Sequence, residues 1–158
     1  MRRGRTRPGH TAIRLGAPVG VVGAVLAATA GTAGASWAGV PPDQITPPTN
    51  YVGVNVFTGD AAGPGEIVGD EIDWFTFVAP VSGSYGFSAS TPGSSLDTVL
   101  GVFDGTGARR AFNDDISATN SDSSVRLNLN QGTQYFFGIT NVTGTPGGAY
   151  SWAVDRPK

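Results

Sequence analysis

The stretch Leu96–Ile116, LDTVLGVFDGTGARRAFNDDI, decides the fold of this chain. Two runs rich in apolar residues flank the sequence Asp104-Gly105-Thr106-Gly107. Asp-Gly between apolar runs is typical of a short hairpin loop, because such loops require positive backbone angles. The stretch is therefore predicted to form two antiparallel strands, with a tight turn centred near Gly105 and Thr106.

Acidic residues lie at both ends of this predicted hairpin. Antiparallel pairing brings Asp97 opposite Asp114 and Asp115, and like charges that face each other across a sheet are destabilising unless something compensates them. Asp104 is seven residues from Asp97 along an extended strand, about 23 Å away, so the two cannot share an ion. Asp104 is assigned to the turn, where its side chain bonds its own backbone.

The opposed carboxylates make this end of the hairpin a candidate calcium site, since Ca²⁺ prefers six to eight oxygen ligands. The alternative is that these acids cap strand ends and solvate a loop, because the DxDxDG spacing of a calcium loop is absent. The predicted metal ligands are Asp97, Asn113, Asp114 and Asp115, with Asp73, chosen over Asp70 and Glu71, as a further ligand.

The rest of the chain after Tyr51 alternates apolar and polar residues with the period of strands. The alternation is clearest over Ser123–Asn130, whereas Ile72–Val78 carries apolar residues on both faces, as a strand covered on both sides requires. Gly59–Gly69 is predicted to be a glycine-rich link. About eight short strands and no helical period predict an all-β sandwich or barrel with almost no helix.

The first 35 residues differ from the rest and are predicted to be a signal peptide. Five arginines precede the mildly apolar run Gly16–Ala30, and Ala33-Gly34-Ala35 offers small residues for cleavage. An uncleaved membrane anchor is the alternative, although the run is short and weakly hydrophobic for a span. Residues 36–50 contain four prolines and are predicted to be an extended or loosely tethered lead-in, with no structure assigned to residues 36–45. Residues 51–158 form the predicted domain.

Charge and the missing residue types exclude several functions. All twelve acidic residues follow position 40, against five basic ones, so the mature chain carries a net charge of −7. This argues against nucleic-acid binding and favours a secreted, extracellular protein without membrane contact after cleavage. The chain has no Cys, and its single His10 lies in the leader, which excludes Cys-His and Ser-His-Asp catalysis and zinc hydrolase motifs in the mature protein. A glycoside hydrolase that uses two carboxylates remains open.

The aromatic residues mostly occupy alternating strand positions and are predicted to pack in the core. The alternative is an exposed strip of rings that binds a sugar chain, as in a carbohydrate-binding module.

Several segments resemble the bacterial pre-peptidase C-terminal domain. The matching segments cover about Gly69–Val154, and Leu-Asp-Thr-Val-Leu followed by Asn-Asp-Asp is the most specific part. They read GDEIDWFTFVAPVSGSYGFSAS, SSLDTVLGVFDGTG, NDDISATNSDSSVRLNLNQGTQYFFGIT and GGAYSWAV.

The resemblance implies a jelly-roll-like antiparallel β-sandwich that is non-catalytic. Domains of this family are appended to secreted peptidases and other hydrolases, with proposed roles in secretion, maturation or attachment to insoluble substrates. Some related collagen-binding modules use calcium. No peptidase domain accompanies the matching region here, so we expect a monomeric binding protein. Its expected partners are an extracellular polymer or a secreted peptidase.

Overall fold

The computed structural model describes residues 36–158, so the predicted signal peptide lies outside the described residues. Nine strands form two packed sheets, and the described part of the chain contains no helix, which confirms the predicted all-β sandwich. The strands are β1 (Val52–Gly53), β2 (Ala61–Ile67), β3 (Asp73–Val78), β4 (Gly83–Ser90), β5 (Thr98–Asp104), β6 (Arg109–Asn113), β7 (Ser123–Leu129), β8 (Gln134–Asn141) and β9 (Gly148–Asp155).

The two sheets combine strands that are distant in sequence. One sheet has five strands in the order β1-β3-β8-β5-β6, and the other has four in the order β2-β9-β4-β7. All neighbours are antiparallel except β1 and β3, which are parallel. No helix in residues 36–158 has the length and hydropathy that a membrane span requires.

Aromatic rings fill the space between the sheets. Phe75 of β3 stacks on Phe137 of β8 with ring centroids 4.7 Å apart, and its ring lies 4.9 Å from that of Trp152 in the opposite sheet. Phe87 of β4 contacts Phe137 at 5.4 Å between centroids. These contacts join the two sheets through apolar area rather than through polar bonds, which is the ordinary source of sandwich stability.

The central hairpin forms as predicted, with a small change of register. The side chain of Asp104 accepts hydrogen bonds from the amides of Thr106 (2.9 Å) and Ala108 (3.2 Å), so Asp104 is the turn residue. The hydroxyl of Thr106 also donates to it, and these bonds lower the pKa of Asp104. The positive φ of 87° falls at Gly107. A bulge beside Val102 and Phe103 shifts the pairing of β5 with β6.

Two predicted segments of the N-terminal half need correction. The strand pattern predicted from Tyr51 onward forms a strand first only at Val52–Gly53, which pairs with β3. The predicted glycine-rich link contains β2, an edge strand that pairs with β9. Pro64 is compatible with an edge strand, because the missing amide does not break an inner ladder.

The lead-in is also corrected, because it packs on the outer face of the five-stranded sheet. Trp37 is 6% exposed and lies over Gly101 and Gly138, a cross-strand pair of β5 and β8. A Cβ atom at Gly138 would lie only 2.8 Å from Cη2 of Trp37, so the indole fits because both positions are glycine. The rings of Trp74 and Phe103 flank the indole at 5.7 and 5.8 Å between centroids.

Hydrogen bonds hold the remainder of the lead-in against the edge of β6. The amide of Ile45 donates to the carbonyl of Gly107 (2.9 Å), and the amide of Arg109 donates to that of Asp43 (2.9 Å). The Arg109 guanidinium also bonds the carbonyl of Pro41 and pairs with the Asp43 carboxylate. The prolines make this segment irregular, but its apolar residues cover an apolar sheet face, so it belongs to the folded domain.

Candidate functional site

The acidic end of the central hairpin brings together three of the five predicted metal ligands. Asp97 directly precedes β5, while Asp114 and Asp115 directly follow β6. Burial raises the pKa of Asp97, and the nearby charges of Asp115 and Asp114 raise it further. Oδ1 of Asp97 is buried and has no hydrogen-bond partner. The hairpin therefore brings these carboxylates to one end of the sheet, where the charges of Asp115 and Asp114 act on Asp97.

Asn113 lies beside these acids, but its side chain connects neighbouring segments. Its Oδ1 accepts a hydrogen bond from the amide of Ser124 (3.0 Å), and its Nδ2 donates to the carbonyl of Asp115 (2.9 Å). Oδ1 of Asp114 accepts the amide of Asp115 (3.1 Å). Among residues 36–158, no three His, Cys, Asp or Glu side chains are arranged to hold a metal ion.

Asp73 does not belong to this cluster, and the prediction that it is a further ligand needs correction. In the sheet, Asp73 pairs with Ile139, which pairs with Leu100, which pairs with Asn113. Three strand spacings of about 4.8 Å therefore separate Asp73 from Asn113, roughly 14 Å in all. Asp97 precedes β5, so two strand spacings and three residues along the strand separate it from Asp73, again roughly 14 Å, and the two carboxylates cannot share an ion.

Asp73 instead forms a buried pair with Tyr150 between the two sheets. Asp73 is 3% exposed, and its Oδ2 accepts a hydrogen bond of 2.6 Å from the Tyr150 hydroxyl. The pKa of Asp73 is raised to about 6. Burial is the main cause and the charge of Glu71 adds to it, whereas the hydrogen bond from Tyr150 acts in the opposite direction. Burial and Asp73 raise the pKa of Tyr150 in turn. This carboxyl is closed off from any ligand in solution.

One open cleft lies between the loop after β4 and the loop before β7. Its volume is about 420 Å³. Asp122 is the single carboxylate in it, and Oδ1 of that residue accepts bonds from both the amide (2.8 Å) and the hydroxyl (3.0 Å) of Thr91. The lining residues are mostly hydroxyl-bearing or amide side chains: Ser90, Thr91, Pro92, Ser94, Ser95, Leu96, Thr119, Asn120, Ser121 and Asp122.

A second cleft, of about 500 Å³, lies where the end of the chain crosses the four-stranded sheet. It too is lined by a single acidic side chain, that of Asp155. The lining residues are Ser84, Arg126, Asp155, Arg156, Pro157 and Lys158.

Comparison with solved structures identifies the fold. The sequence matches no protein-family model and no curated protein. The structure is similar to the pre-peptidase C-terminal domain of a collagenase from Bacillus anthracis, with a TM-score of 0.51 and 16% identity over 73% of this chain and 99% of that one. The fold is that of a pre-peptidase C-terminal domain.

Two other solved structures are also similar to this chain. The mitogen from Yersinia pseudotuberculosis is 14% identical over 63% of this chain and 86% of its own, with a TM-score of 0.50. An inhibitor of g-type lysozyme from Aeromonas hydrophila is 21% identical over 72% of this chain and 98% of its own, with a TM-score of 0.49. At these identities the comparisons establish the fold alone.

Within this pre-peptidase C-terminal fold, sequence reasoning missed the Asp73–Tyr150 pair and both clefts. Tyr150 alternates on β9 like any core residue, so no local signal indicates its partner. The second cleft had one signal, because Arg126 stands among Asn and Ser on the solvent face of β7 and two more basic residues follow β9. Only the packing of the chain end against the sheet brings them together.

Proposed function

We propose that this protein is an exported, non-catalytic binding module that attaches to an extracellular polymer or to a secreted peptidase. The observation that supports the proposal is that the most perturbed carboxylate lies in the core and not in an open cleft. The carboxylate with the largest pKa shift, Asp73, is sealed in the core, whereas the two clefts described above are polar and each is lined by one acidic side chain. Binding needs such clefts, and catalysis needs perturbed groups inside them.

The glycoside hydrolase alternative is disfavoured by the same geometry. Hydrolysis of a glycosidic bond requires two carboxylates on opposite sides of one cleft, about 5–9.5 Å apart. Asp122 and Asp155 lie in different clefts, and each is already bonded or paired, with Thr91 and Arg126 respectively.

The carbohydrate-binding alternative is favoured by exposed rings on the outer face of the five-stranded sheet. Tyr51 is 45% exposed, and its ring packs edge-on against Phe136 at 5.8 Å between centroids. Phe112 of β6 is also exposed, with the Arg109 guanidinium 4.7 Å from its ring centre. Such rings provide apolar surface on which sugars stack.

Sedimentation with insoluble polymers tests the binding function. We expect collagen, chitin or cellulose to retain the purified protein, and Tyr51→Ala to weaken retention on the two polysaccharides if the rings form the contact. A Val40→Ala variant, which alters another exposed apolar side chain, serves as control. Hydrolysis of a glycoside that a single Asp substitution abolishes would contradict the proposal, as would failure of every polymer and co-exported peptidase to bind.

We further propose that Ca²⁺ stabilises the acidic end of the hairpin. The support is the buried, unpartnered Oδ1 of Asp97 and its repulsion by Asp114 and Asp115, which a cation would relieve. Three carboxylates and neighbouring carbonyls are oxygen ligands of the kind that Ca²⁺ takes. Because the side chains are not arranged around one point, binding requires Asp114 or Asp115 to turn towards Asp97.

Thermal unfolding in calcium and in chelator checks this proposal. At a calcium concentration a hundred times Kd, linkage predicts a gain of about 2.7 kcal/mol in the free energy of unfolding. Asp97→Ala should abolish the resulting rise in Tm, whereas Asp73→Asn should keep it, because Asp73 is buried beside Tyr150, away from the acidic end of the hairpin. Equal Tm values in calcium and chelator would rule out the site.

A further inference from the structure

Three of the five basic side chains in residues 36–158 line the same cleft. Arg126, Arg156 and Lys158 lie around it with Asp155 as the single acid, so the side chains give a local charge of +2. Residues 36–158 as a whole, the cleft included, carry an excess of seven negative charges. Such a concentration of basic groups on an acidic protein indicates a local preference for anions, because salt screens the more distant acidic groups more strongly than the nearby basic ones.

The place of Arg126 is set by a glycine on the neighbouring strand. Arg126 of β7 pairs with Gly86 of β4, and a Cβ atom there would lie 2.7 Å from Nη2 of the arginine. The guanidinium therefore lies over Gly86 of β4 and reaches Asp155 of β9, whose Oδ2 is 3.6 Å from Nη2. Their side chains are 59% and 54% exposed, so this ion pair is weak and a ligand can replace it at little cost.

The chain end is held so that its basic side chains lie along the cleft. The amide of Arg156 donates to Oδ1 of Asp60 (2.8 Å), and its Nη1 donates to the carbonyls of Phe57 (2.8 Å) and Val56 (3.3 Å). A guanidinium carries five N–H donors, so these bonds orient the group and leave donors for a ligand.

Pro157, which follows Arg156, also fixes the position of the chain end. It packs against Gly83 at the start of β4, where a Cβ atom would lie 2.6 Å from its Cγ. This contact keeps the chain end on the sheet and positions Lys158 at the cleft, which the hydroxyl-bearing Ser84 also lines. The basic groups thus come from β7 and from a chain end anchored at two points.

We infer that this cleft binds an oxyanion, a carboxylate, sulfate or phosphate group, on the target of the module. Two guanidinium groups and an ammonium match the geometry and charge of such groups, since arginine forms paired, charge-assisted bonds with them. A cleft of about 500 Å³ is large enough for either a free ion or one acidic sugar unit. The inference rests on the proposed binding function and assigns it a ligand class.

Titration calorimetry of the full exported chain tests the inference, with inorganic phosphate, inorganic sulfate, glucuronate and a sulfated disaccharide as probes. We expect saturable binding that weakens with added sodium chloride, and a loss of roughly tenfold or more in Arg126→Gln and Lys158→Gln. The matched control is Arg110→Gln, another exposed arginine paired with a carboxylate, here Asp104 at 3.6 Å, which should leave affinity unchanged. Tighter binding of the saccharides than of the ions would identify a sugar-borne group.

The failures of the two proposals are distinguishable. If a polymer retains the protein but Arg126→Gln and competing sulfate leave retention unchanged, the binding function stands and the oxyanion site is wrong. If Arg126→Gln and Arg110→Gln weaken probe binding equally, the effect is one of net charge and the site is again wrong. If polymers, co-exported peptidases and probes all fail to bind, both proposals are wrong. An unchanged Tm for Arg126→Gln, expected for an exposed pair, shows that the variant is folded.

Discussion

A Trp37→Ala variant is expected to lose about 3–5 kcal/mol in its free energy of unfolding, the usual cost of truncating a buried tryptophan. The indole is 6% exposed and covers the Gly101–Gly138 pair, with Trp74 and Phe103 beside it. Without the ring, this part of the sheet is open to water because the glycines carry no side chains of their own. For a domain of this size the loss corresponds to a fall in Tm of roughly 10–20 °C, measurable by urea and thermal unfolding.

The control for this prediction comes from the same segment. Val40 is 57% exposed, so Val40→Ala should change the free energy of unfolding by no more than about 0.5 kcal/mol. Gly138→Ala should destabilise the protein by pushing against Trp37, and this cost should be partly relieved in the Trp37→Ala background. A loss below about 1 kcal/mol in Trp37→Ala would show that the domain begins at Tyr51, as the sequence suggested.

The packing of this lead-in on the sheet could not be predicted from local sequence patterns. The apolar residues on both faces of Ile72–Val78 correctly predicted a strand covered on both sides, with Phe75 facing the other sheet and Trp74 facing outward. No local sequence signal indicated that residues 36–50 cover the outer face of this strand, because their four prolines are typical of a linker. The covering contact depends on glycines at positions 101 and 138, which read as ordinary strand residues until the indole is placed over them.

Strand β2 was missed for a related reason. Ala61–Ile67 reads AAGPGEI and lacks the alternation that indicates a strand. Its Gly65 is required by packing, since a Cβ atom there would lie 2.2 Å from Cζ of Tyr150. The residue that weakens the strand signal thus makes room for a core side chain.

The central hairpin was predictable because its determinants are local, and the acidic cluster at its end followed from the same pairing. Asp104 bonds amides two and four residues ahead, and the pairing of β5 with β6 spans a short turn. The position of Asp73 relative to the hairpin depended instead on the order of strands in the sheet. Since β8 and β5 separate β3 from β6, a residue that the sequence associated with the hairpin lies beside Tyr150 in the core.

Lowering the pH from about 7.5 to 4.5 is expected to stabilise the Asp73–Tyr150 region, contrary to the usual effect of acid on carboxylates. The pKa of Asp73 is raised from 3.8 to about 6 in the folded protein, mainly by burial, so the folded state binds a proton more tightly than the unfolded state. Its stabilising contribution is therefore complete below pH 3.8 and is lost as the pH rises through about 6. The difference between the two pKa values is worth about 3 kcal/mol.

Urea unfolding across this pH range, in wild type and variants, measures the effect. Asp97 also has a raised pKa and contributes in the same direction, so the variants must separate the two carboxyls. Asn cannot ionise, so Asp73→Asn should lose most of the increase in the free energy of unfolding that lowering the pH produces. Glu66→Gln, on the solvent face of β2, should keep that increase.

A Tyr150→Phe variant gives the most specific test of the pair. The Tyr150 hydroxyl donates the 2.6 Å bond that lowers the pKa of Asp73, whereas burial and Glu71 both raise it. Removing the hydroxyl should therefore move the midpoint of the stability change above pH 6, because the charged carboxylate loses its donor while its burial remains. A simple loss of packing would lower stability equally at every pH and leave the midpoint in place. An unchanged midpoint in Tyr150→Phe, or an undiminished rise in Asp73→Asn, would assign the pH dependence to the acids at the end of the hairpin instead.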